Sequence, residues 1–444
     1  MVAYVGIGAL YAAKTPAWQV PDEPAHYNYV RFVAQGRGLP VLQSGDYDQA
    51  FLESIKAAKF PPSMPIDSIR YEFWQPPLYY VLAAPIYLAT GGSLLALRLF
   101  SVALGGFVVI LAVLIVRRLA PDSPALALGA AGFVAFVPQH VAMMAGAQND
   151  SVAELLLALI VLQTLNLKLQ TASLKWIKLG LTLGLALLTK GTIYIAAPLV
   201  AVAIWQKYRS QSPRDRRWLV KSGVLVFGPA LALVLPWWIR NVAAYGWPDF
   251  LVSIRHDHVV MGQPTPAEWI ARFGLGGYLR DFVVTTFHSF WGQFGWMGVP
   301  MNDKYYAILA VVSLSAFIGF VWYSKAKSQT PALATNASAG ASVSNFKGHS
   351  RIANLKFETW ILIFWVLFAV ITYLGYNVKY VQFQGRYLFP ALIPIGLAFT
   401  VGLGQWTTWL PRHWRDAVLA TLFIGLAALC LIALFRMIVP ALTP

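Results

Sequence analysis

The chain has 444 residues, of which 58% are hydrophobic and 12% are charged, and its formal net charge is +16. Ordinary soluble domains carry about twice that charged fraction, so this composition excludes a soluble globular protein. Apolar stretches of about 20 residues, the length that crosses a bilayer, recur along the chain and indicate a polytopic α-helical membrane protein.

Hydropathy and segment length predict eleven membrane-spanning helices. They are residues 1–16, 94–117, 124–143, 151–167, 176–189, 192–206, 222–239, 304–323, 358–375, 387–404 and 417–439. The first apolar run, Met1 to Ala13, is short for a span, and a truncated or mis-started N-terminus would explain its length. No cleavable signal peptide is evident. The single cysteine, Cys430, lies in an apolar stretch, which excludes a disulfide framework and a cysteine metal site.

The distribution of basic residues sets the predicted orientation. With a cytoplasmic N-terminus, the cytoplasmic loops hold 18 basic residues against four acidic ones. The positive-inside rule accounts for this bias, so the net charge needs no nucleic-acid partner. We therefore expect a multi-pass protein of the plasma (inner) membrane, surrounded by membrane lipids, with its N-terminus in the cytoplasm.

Two of the predicted outer loops are large: the first, residues 17–93, and the fourth, residues 240–303. Residues 75–90 are apolar, but counting them as a span would break the charge bias. Their Pro and Tyr content fits a helix that lies at the outer surface. Residues 328–350, rich in Ser, Ala, Thr and Asn, are predicted to form a flexible cytoplasmic linker. The whole chain, 1–444, is thus predicted to be one all-α transmembrane bundle with juxtamembrane helices in the first and fourth outer loops.

Two adjacent carboxylates, Asp22 and Glu23, follow the first predicted span. Carboxylates near a bilayer are costly unless they have a partner or a function, which makes them candidates for a functional site. Neighbouring side chains do not share a face, so one is free to point into a cavity while the other anchors the loop. A carboxylate in a partly dry environment has a raised pKa and suits a general base. The alternative is that both residues cap the following helix.

Further charged residues lie at the outer ends of predicted spans. Asp150 is a second carboxylate candidate, with capping of the next helix as an equally weighted alternative. Lys190, at the outer turn between the fifth and sixth spans, runs against the inward charge bias, so we expect an anionic partner there; snorkelling to lipid headgroups is the alternative. Arg240 ends the seventh span, directly after interfacial tryptophans that carry no functional weight.

Residues 382–390, Gln-Phe-Gln-Gly-Arg-Tyr-Leu-Phe-Pro, lie at the outer mouth of the tenth span. Arg386 offers planar, permanently charged donors that suit phosphate oxygens. Gly385 permits the close approach of a backbone or a ligand. The alternative is that Arg386 pairs with an acidic residue of a loop.

Residues 255–258, Arg-His-Asp-His, contain side chains that are able to ligate a metal. Three such ligands in one loop without a fourth are weak evidence, and solvated loop residues are the simpler interpretation. His256 and His258 remain candidates for contact with a phosphate. We assign no metal ligand, since no His-Glu-x-x-His and no phosphate-binding Gly-rich loop is present.

In order and spacing, these motifs resemble the GT-C superfamily of integral-membrane glycosyltransferases, in particular its protein O-mannosyltransferase and aminoarabinose-transferase-like branch. The motifs are Pro21-Asp22-Glu23-Pro24-Ala25-His26, Gln75-Pro76-Pro77-Leu78-Tyr79-Tyr80, Ala96-Leu97-Arg98-Leu99-Phe100-Ser101, Asp150, Leu188-Thr189-Lys190-Gly191 and Gly385-Arg386-Tyr387. The first and last motifs are most similar to a prokaryotic group of predicted membrane proteins without assigned substrates.

The resemblance implies a sugar donor linked to polyprenyl phosphate and an active site on the outer face. The catalytic base of the family maps onto Asp22, with Glu23 beside it, and the family's second-loop acid maps onto Asp150. The candidates for donor-phosphate binding are Lys190, Arg240, Arg386 and Tyr387, and the weaker candidates for substrate contact are His26, Gln75, His256 and His258. Gln75 departs from the family, which often has a basic residue before Pro-Pro.

These residues lead us to expect an inverting hexosyl or pentosyl transferase of the cell envelope, with a lipid, a glycan or a protein as acceptor. The alternative is a transporter or flippase that binds a lipid-linked or polar substrate without cleaving it. The chain shows no internal repeat typical of many transporters, and its acids lie on one face. No cofactor is assigned; a divalent cation is left open, because some relatives need one and others do not.

Overall fold

The computed structural model of this protein describes residues 1–168, 172–328 and 356–443. The predicted linker at 328–350 lies, apart from its first residue, outside the described residues. The described chain is almost entirely helical, which confirms the predicted all-α class.

Short helices form the N-terminal part of the chain: α1 falls in the first predicted span and the others in the first outer loop. They are α1 (Val2–Lys14), α2 (Glu23–Ala34), α3 (Gln49–Ala57), a 3₁₀ turn (Tyr71–Trp74) and α4 (Leu78–Ala89). Helix α2 starts at Glu23-Pro24, where the proline ring favours the first helical turn and the acid faces the positive end of the helix dipole. Helix α4 has 12 residues, about 18 Å at 1.5 Å per residue, so it is too short to cross a bilayer. The apolar segment at 75–90 is therefore a short helix and not a span.

The next six helices form the first part of the bundle. They are α5 (Leu94–Leu119), α6 (Pro124–Phe136), α7 (Pro138–Met144), α8 (Asp150–Asn166), α9 (Ser173–Leu187) and α10 (Ala196–Arg209). The predicted span at 124–143 is not one straight helix, because α6 and α7 are bent by 64° at Val137. Pro138 causes this break, since it supplies no backbone N–H and disfavours helical geometry at the preceding residue.

Much of the fourth outer loop, residues 240–303, is helical. Helix α11 (Arg216–Tyr245) leads to α12 (Ser253–Val259) and to α13 (Pro266–Trp291). A φ of 72° at Gly274 breaks α13. A two-stranded hairpin, β1 (Gln293–Phe294) and β2 (Val299–Pro300), then connects to α14.

The C-terminal helices complete the bundle. They are α14 (Asp303–Ser328), α15 (Lys356–Lys379), a 3₁₀ turn (Gly385–Ala391), α16 (Leu392–Trp406), α17 (Arg412–Ala433), a π turn (Leu434–Ile438) and α18 (Val439–Leu442).

Each of the eleven predicted spans contains a helix, but the helices differ in length. Within the described residues, six are long and apolar enough to cross a membrane, or seven if α6 and α7 form one bent span. The predicted spans at 1–16, 151–167, 176–189 and 192–206 form helices of 13, 17, 15 and 14 residues. These shorter helices pack against neighbours in the bundle, α1 and α8 against α5, and α9 against α11.

Candidate active site

Asp22 and Arg386 meet in one cavity, although 364 residues separate them. Asp22 has a left-handed φ of 67° at the residue before α2, and its side chain makes no capping hydrogen bond. Its carboxylate instead accepts hydrogen bonds of 2.9 Å from Arg386 Nη2 and 2.9 Å from the Tyr71 hydroxyl. The local backbone thus directs this carboxylate away from the helix end.

Gly385 positions Arg386. The Gly385 N–H donates a 2.7 Å hydrogen bond to Ser289 Oγ of α13. A Cβ on Gly385 would lie 2.3 Å from the carbonyl oxygen of Thr286, so only glycine fits against α13. This close approach fixes the turn that presents Arg386 and Tyr387 to the cavity.

A second ion pair, between Asp150 and Lys190, lines the same cavity. Lys190 Nζ donates to Asp150 Oδ1 at 2.6 Å. The amide of Asn149 donates to the Thr189 carbonyl at 3.2 Å and holds the two chain segments together. Asp150 lies in the first turn of α8, where its charge also favours the helix dipole. The anionic partner that we expect for Lys190 is therefore, in this structure, Asp150.

The cavity has a volume of about 430 Å³ and two chemically different walls. One wall carries the two ion pairs. The other is the spanning helix α15, which contributes Tyr373, Gly375 and Tyr376. Charged side chains and a long apolar helix thus line one cavity.

Glu72 is a cavity carboxylate that the sequence analysis passed over. Its Oε2 has no hydrogen-bond partner among the described residues. Burial, together with the negative charge of Asp22, raises the pKa of Glu72 to about 8, against the opposing effect of Lys190. In the sequence, the indication for a role of Glu72 was its position three residues before the Gln75-Pro76-Pro77 motif.

The pKa of Asp22 is lowered, whereas we expected a raised pKa for a base. Burial would raise the pKa of its carboxyl, but the charge of Arg386 and the Tyr71 hydrogen bond outweigh burial and hold that pKa below its usual value. His26 hydrogen-bonds the Tyr80 hydroxyl at 2.8 Å. Burial, followed by the charge of Lys190, lowers the pKa of His26 to about 3, so its ring is neutral at physiological pH.

Glu23 lies outside the cavity lining. It is buried and accepts hydrogen bonds of 2.7 and 2.6 Å from Arg98 Nε and Nη2. The backbone N–H groups of Trp18 and Ala147 also donate to it, each at 3.1 Å. Four donors leave the Glu23 carboxylate fully engaged in holding the loop to α5.

The other substrate-contact candidates are divided between the cavity and its surroundings. Gln75, Tyr387 and His256 line the cavity, and the His256 ring lies 4.7 Å from that of Trp74. His258 is exposed and does not line it. Arg240 is also outside it, where it donates to the backbone carbonyls of the first outer loop, including that of Leu39 at 3.0 Å.

The carboxylates of the site do not fit a divalent-cation centre. Asp22 and Asp150 are each paired with a cationic side chain of the protein, and Asp257 accepts from Lys379 and from the Tyr380 hydroxyl. Burial would raise the pKa of Asp257. These hydrogen bonds and the one with His256 outweigh burial and lower that pKa to about 2. In the described parts of the chain, no group of three or more His, Cys, Asp or Glu side chains converges as a ligand set. We derive no step through a metal.

The helical bundle shares the fold of GT-C membrane proteins, as the resemblance of the motifs implied. Residues 74–239 match the family model described as dolichyl-phosphate-mannose-protein mannosyltransferase. No curated protein sequence matches the chain significantly.

Solved structures of two membrane proteins share the fold. ArnT from Cupriavidus metallidurans bound to undecaprenyl phosphate is 12% identical, with a TM-score of 0.51 over 99% of this chain and 72% of that chain. Its apo structure is 13% identical, with a TM-score of 0.53 over 99% and 73% of the two chains. The Archaeoglobus fulgidus oligosaccharyltransferase in complex with Zn and sulfate is 14% identical, with a TM-score of 0.53 over 96% of this chain. This chain covers 53% of that protein, about half its length.

Proposed function

We propose that this protein is a membrane glycosyltransferase that moves a sugar from a polyprenyl-phosphate-linked donor to an acceptor hydroxyl, with inversion. The observation that carries the proposal is the Asp22–Arg386 contact of 2.9 Å in a cavity that is also lined by α15, a helix long and apolar enough to span a membrane. A base and a permanent cation in contact suit a reaction that takes one proton and releases one phosphate. The match to a mannosyltransferase family model and the fold shared with ArnT support the same class.

The α15 wall supports a lipid-linked donor. Tyr373, Gly375 and Tyr376 of α15 line the cavity, while Ile371, Leu374 and Val378 of the same helix are exposed apolar residues. A polyprenyl chain would thus lie along α15 in the bilayer while its phosphate reaches Arg386 and Lys190. The undecaprenyl phosphate bound to ArnT supports a ligand of this chemistry.

Arg386 and Lys190 would stabilise the leaving phosphate. When the sugar departs, the bond between the anomeric carbon and the phosphate oxygen breaks and the phosphate gains a negative charge. Positive groups already fixed at that position stabilise the growing charge, which is often the largest catalytic contribution. Arg386 suits this role because its guanidinium binds two oxygens at once, and its Nε has no partner among the described residues.

Asp22 would act as the general base. As the acceptor oxygen forms its bond to the anomeric carbon, its proton passes to the Asp22 carboxylate, a step that contributes about 10²–10⁴-fold. A bound phosphate draws on the charge of Arg386, the strongest of the influences that lower the Asp22 pKa. Donor binding would therefore raise the Asp22 pKa and make the carboxylate a better base.

We also propose that the site faces the outer side of the plasma membrane and that the N-terminus is cytoplasmic. The excess of basic residues in the opposite loops supports this orientation. Glu23, with its four donors, would anchor the loop that carries Asp22 and take no part in proton transfer.

Reconstituted protein tests the proposal when it is supplied with radiolabelled polyprenyl-phosphate hexoses and pentoses together with a lipid, a glycan or a protein as acceptor. We expect the label to leave the lipid with the intact protein and to stay on it with Asp22→Asn. Transfer from a hexosyl or a pentosyl donor identifies the sugar class. Intact donor that binds, or crosses the bilayer of proteoliposomes without cleavage, would overturn the proposal in favour of a transporter or flippase.

A further inference from the structure

A second, smaller chamber adjoins the cavity on the side of the outer loops. Its volume is about 240 Å³. Asp22, Glu72, His256, Tyr376, Arg386 and Tyr387 line both spaces. The base and the phosphate-binding arginine of the proposed function therefore line two adjoining compartments.

Neutral amides dominate one wall of this chamber. Gln382 Nε2 donates to Gln263 Oε1 at 2.7 Å, and Gln384 Nε2 donates to Gln382 Oε1 at 2.6 Å. The amides form a chain that runs from Gln384 to Gln263, and the oxygen of its first member, Gln384 Oε1, is buried and has no partner among the described residues. Such a chain offers donors and acceptors of fixed polarity to a polar, uncharged ligand.

The chamber lining also contains an ion pair and an aromatic side chain. Lys56 and Glu53 pair at 2.6 Å, so their charges compensate each other. Trp296 lines the chamber, donates its indole N–H to the Trp18 carbonyl at 2.9 Å, and has Lys56 Nζ 5.4 Å from the centre of its ring. Trp296 and Met297 have positive φ values of 55° and 71°, a strained conformation that clusters at ligand sites in proteins.

We propose, resting on the glycosyl transfer proposed above, that this chamber binds the acceptor and that the acceptor is a carbohydrate. Sugar rings offer many neutral hydroxyls and an apolar C–H face, which match a chamber lined by both an amide chain and an aromatic side chain. About 240 Å³ is below the 300–1,000 Å³ of pockets for drug-sized ligands, so one sugar unit fits and the rest of a glycan extends into the outer loops. A lipid acceptor would need an apolar wall along a spanning helix, whereas α15 contributes only Tyr376 to the described lining of this chamber.

Binding without donor tests the chamber independently of catalysis. Saturation-transfer NMR with trisaccharides of hexose, pentose and N-acetylhexosamine would be run on the reconstituted protein. We expect one of them to bind, and Trp296→Ala and Gln263→Leu each to weaken it about tenfold, the effect of one lost contact of about 1.4 kcal/mol. Trp247→Ala, at a tryptophan that is exposed and outside the chamber, is the matched control. Absence of saccharide binding would overturn the inference.

Turnover separates this inference from the proposed function. With labelled donor, we expect transfer to the bound saccharide but not to a Ser/Thr peptide or a glycerolipid. Trp296→Ala should raise the acceptor KM about tenfold and leave the donor KM within about twofold. Transfer to the peptide or the lipid would overturn the carbohydrate chamber and leave the glycosyltransferase standing. Saccharide binding without cleavage of any donor would overturn the proposed glycosyl transfer and leave the carbohydrate-binding chamber standing.

Discussion

Arg98 holds Glu23 through two hydrogen bonds of 2.7 and 2.6 Å, and the next residue toward the N-terminus, Asp22, points the opposite way into the cavity. The two adjacent carboxylates therefore differ in what surrounds them. The Glu23 carboxylate is enclosed by hydrogen-bond donors of the protein. The Asp22 carboxylate contacts protein side chains and also lines the cavity.

Substitution separates the roles of these two carboxylates. Glu23→Gln leaves the buried guanidinium of Arg98 without its counter-charge, and breaking a buried pair costs about 3–5 kcal/mol. We expect a large fall in the thermal midpoint in detergent. Asp22→Asn keeps a side chain of the same shape and breaks a pair that is more exposed, so its thermal midpoint should fall less while sugar transfer is abolished. Equal stability of the two variants would contradict this division.

Arg386 and Arg240 make a second contrasting pair. Arg386→Ala removes the cation next to the leaving phosphate, and we expect a loss of about 10²–10³ in kcat and weaker donor binding. Arg240→Ala removes contacts with loop carbonyls outside the cavity, so the donor KM should not change. Steady-state kinetics against donor concentration checks both variants. A raised donor KM in Arg240→Ala would restore the phosphate role predicted from sequence.

Ionisation of Glu72 should weaken donor binding at alkaline pH. Its pKa of about 8 means that it is protonated at neutral pH and adds a negative charge to the cavity above pH 8. That charge repels the donor phosphate, so the donor KM should rise as the pH increases from 7 to 9.5. Glu72→Gln stays neutral and should keep a flat KM over the same range. Parallel profiles for the two proteins would refute this role.

Stability gives an independent measurement on the same group. The folded pKa of about 8 lies above the ordinary value of 4.5, so between these values the folded state holds a proton that the unfolded state has released. The contribution of Glu72 to stability therefore falls as the pH rises from about 4.5 to about 8. Thermal midpoints of Glu72→Gln should decline less with pH than those of the parent protein, and an identical decline would contradict the assignment.

Gly375 offers a steric test of the donor cavity. This residue of α15 lines the cavity, and a Cβ there would meet no atom within 4 Å. Gly375→Leu should therefore fold normally but fill the space for the lipid, raising the donor KM with little change in thermal midpoint. Gly404→Leu on α16, which also has open space around its Cβ and lies outside the cavity, is the matched control. Equal donor KM values for both variants would argue against a donor in this cavity.

Several features of the fold followed directly from the residue pattern. Apolar segments and loop charges predicted the helices and the short surface helix α4, because burial in lipid and the cost of moving charge across it depend on local composition. The bend at Pro138 was readable in principle, since proline acts on the residue before it. The lengths of the 13- to 17-residue helices were harder to predict from the sequence, because neighbouring helices in the bundle cover the surface that a short helix would otherwise leave exposed.

The sequence by itself determined a polytopic helical membrane protein and singled out Asp22, Asp150, Lys190 and Arg386, because carboxylates and cations at membrane surfaces are conspicuous one residue at a time. Tertiary structure alone decided which of them touch. In the folded chain Asp22 pairs with Arg386, and Asp150 pairs with Lys190. Glu23 and Arg240 lie outside the cavity, whereas Glu72 lines it. The reason is physical: a pKa and a contact depend on distances between groups far apart in the chain, and only packing sets those distances.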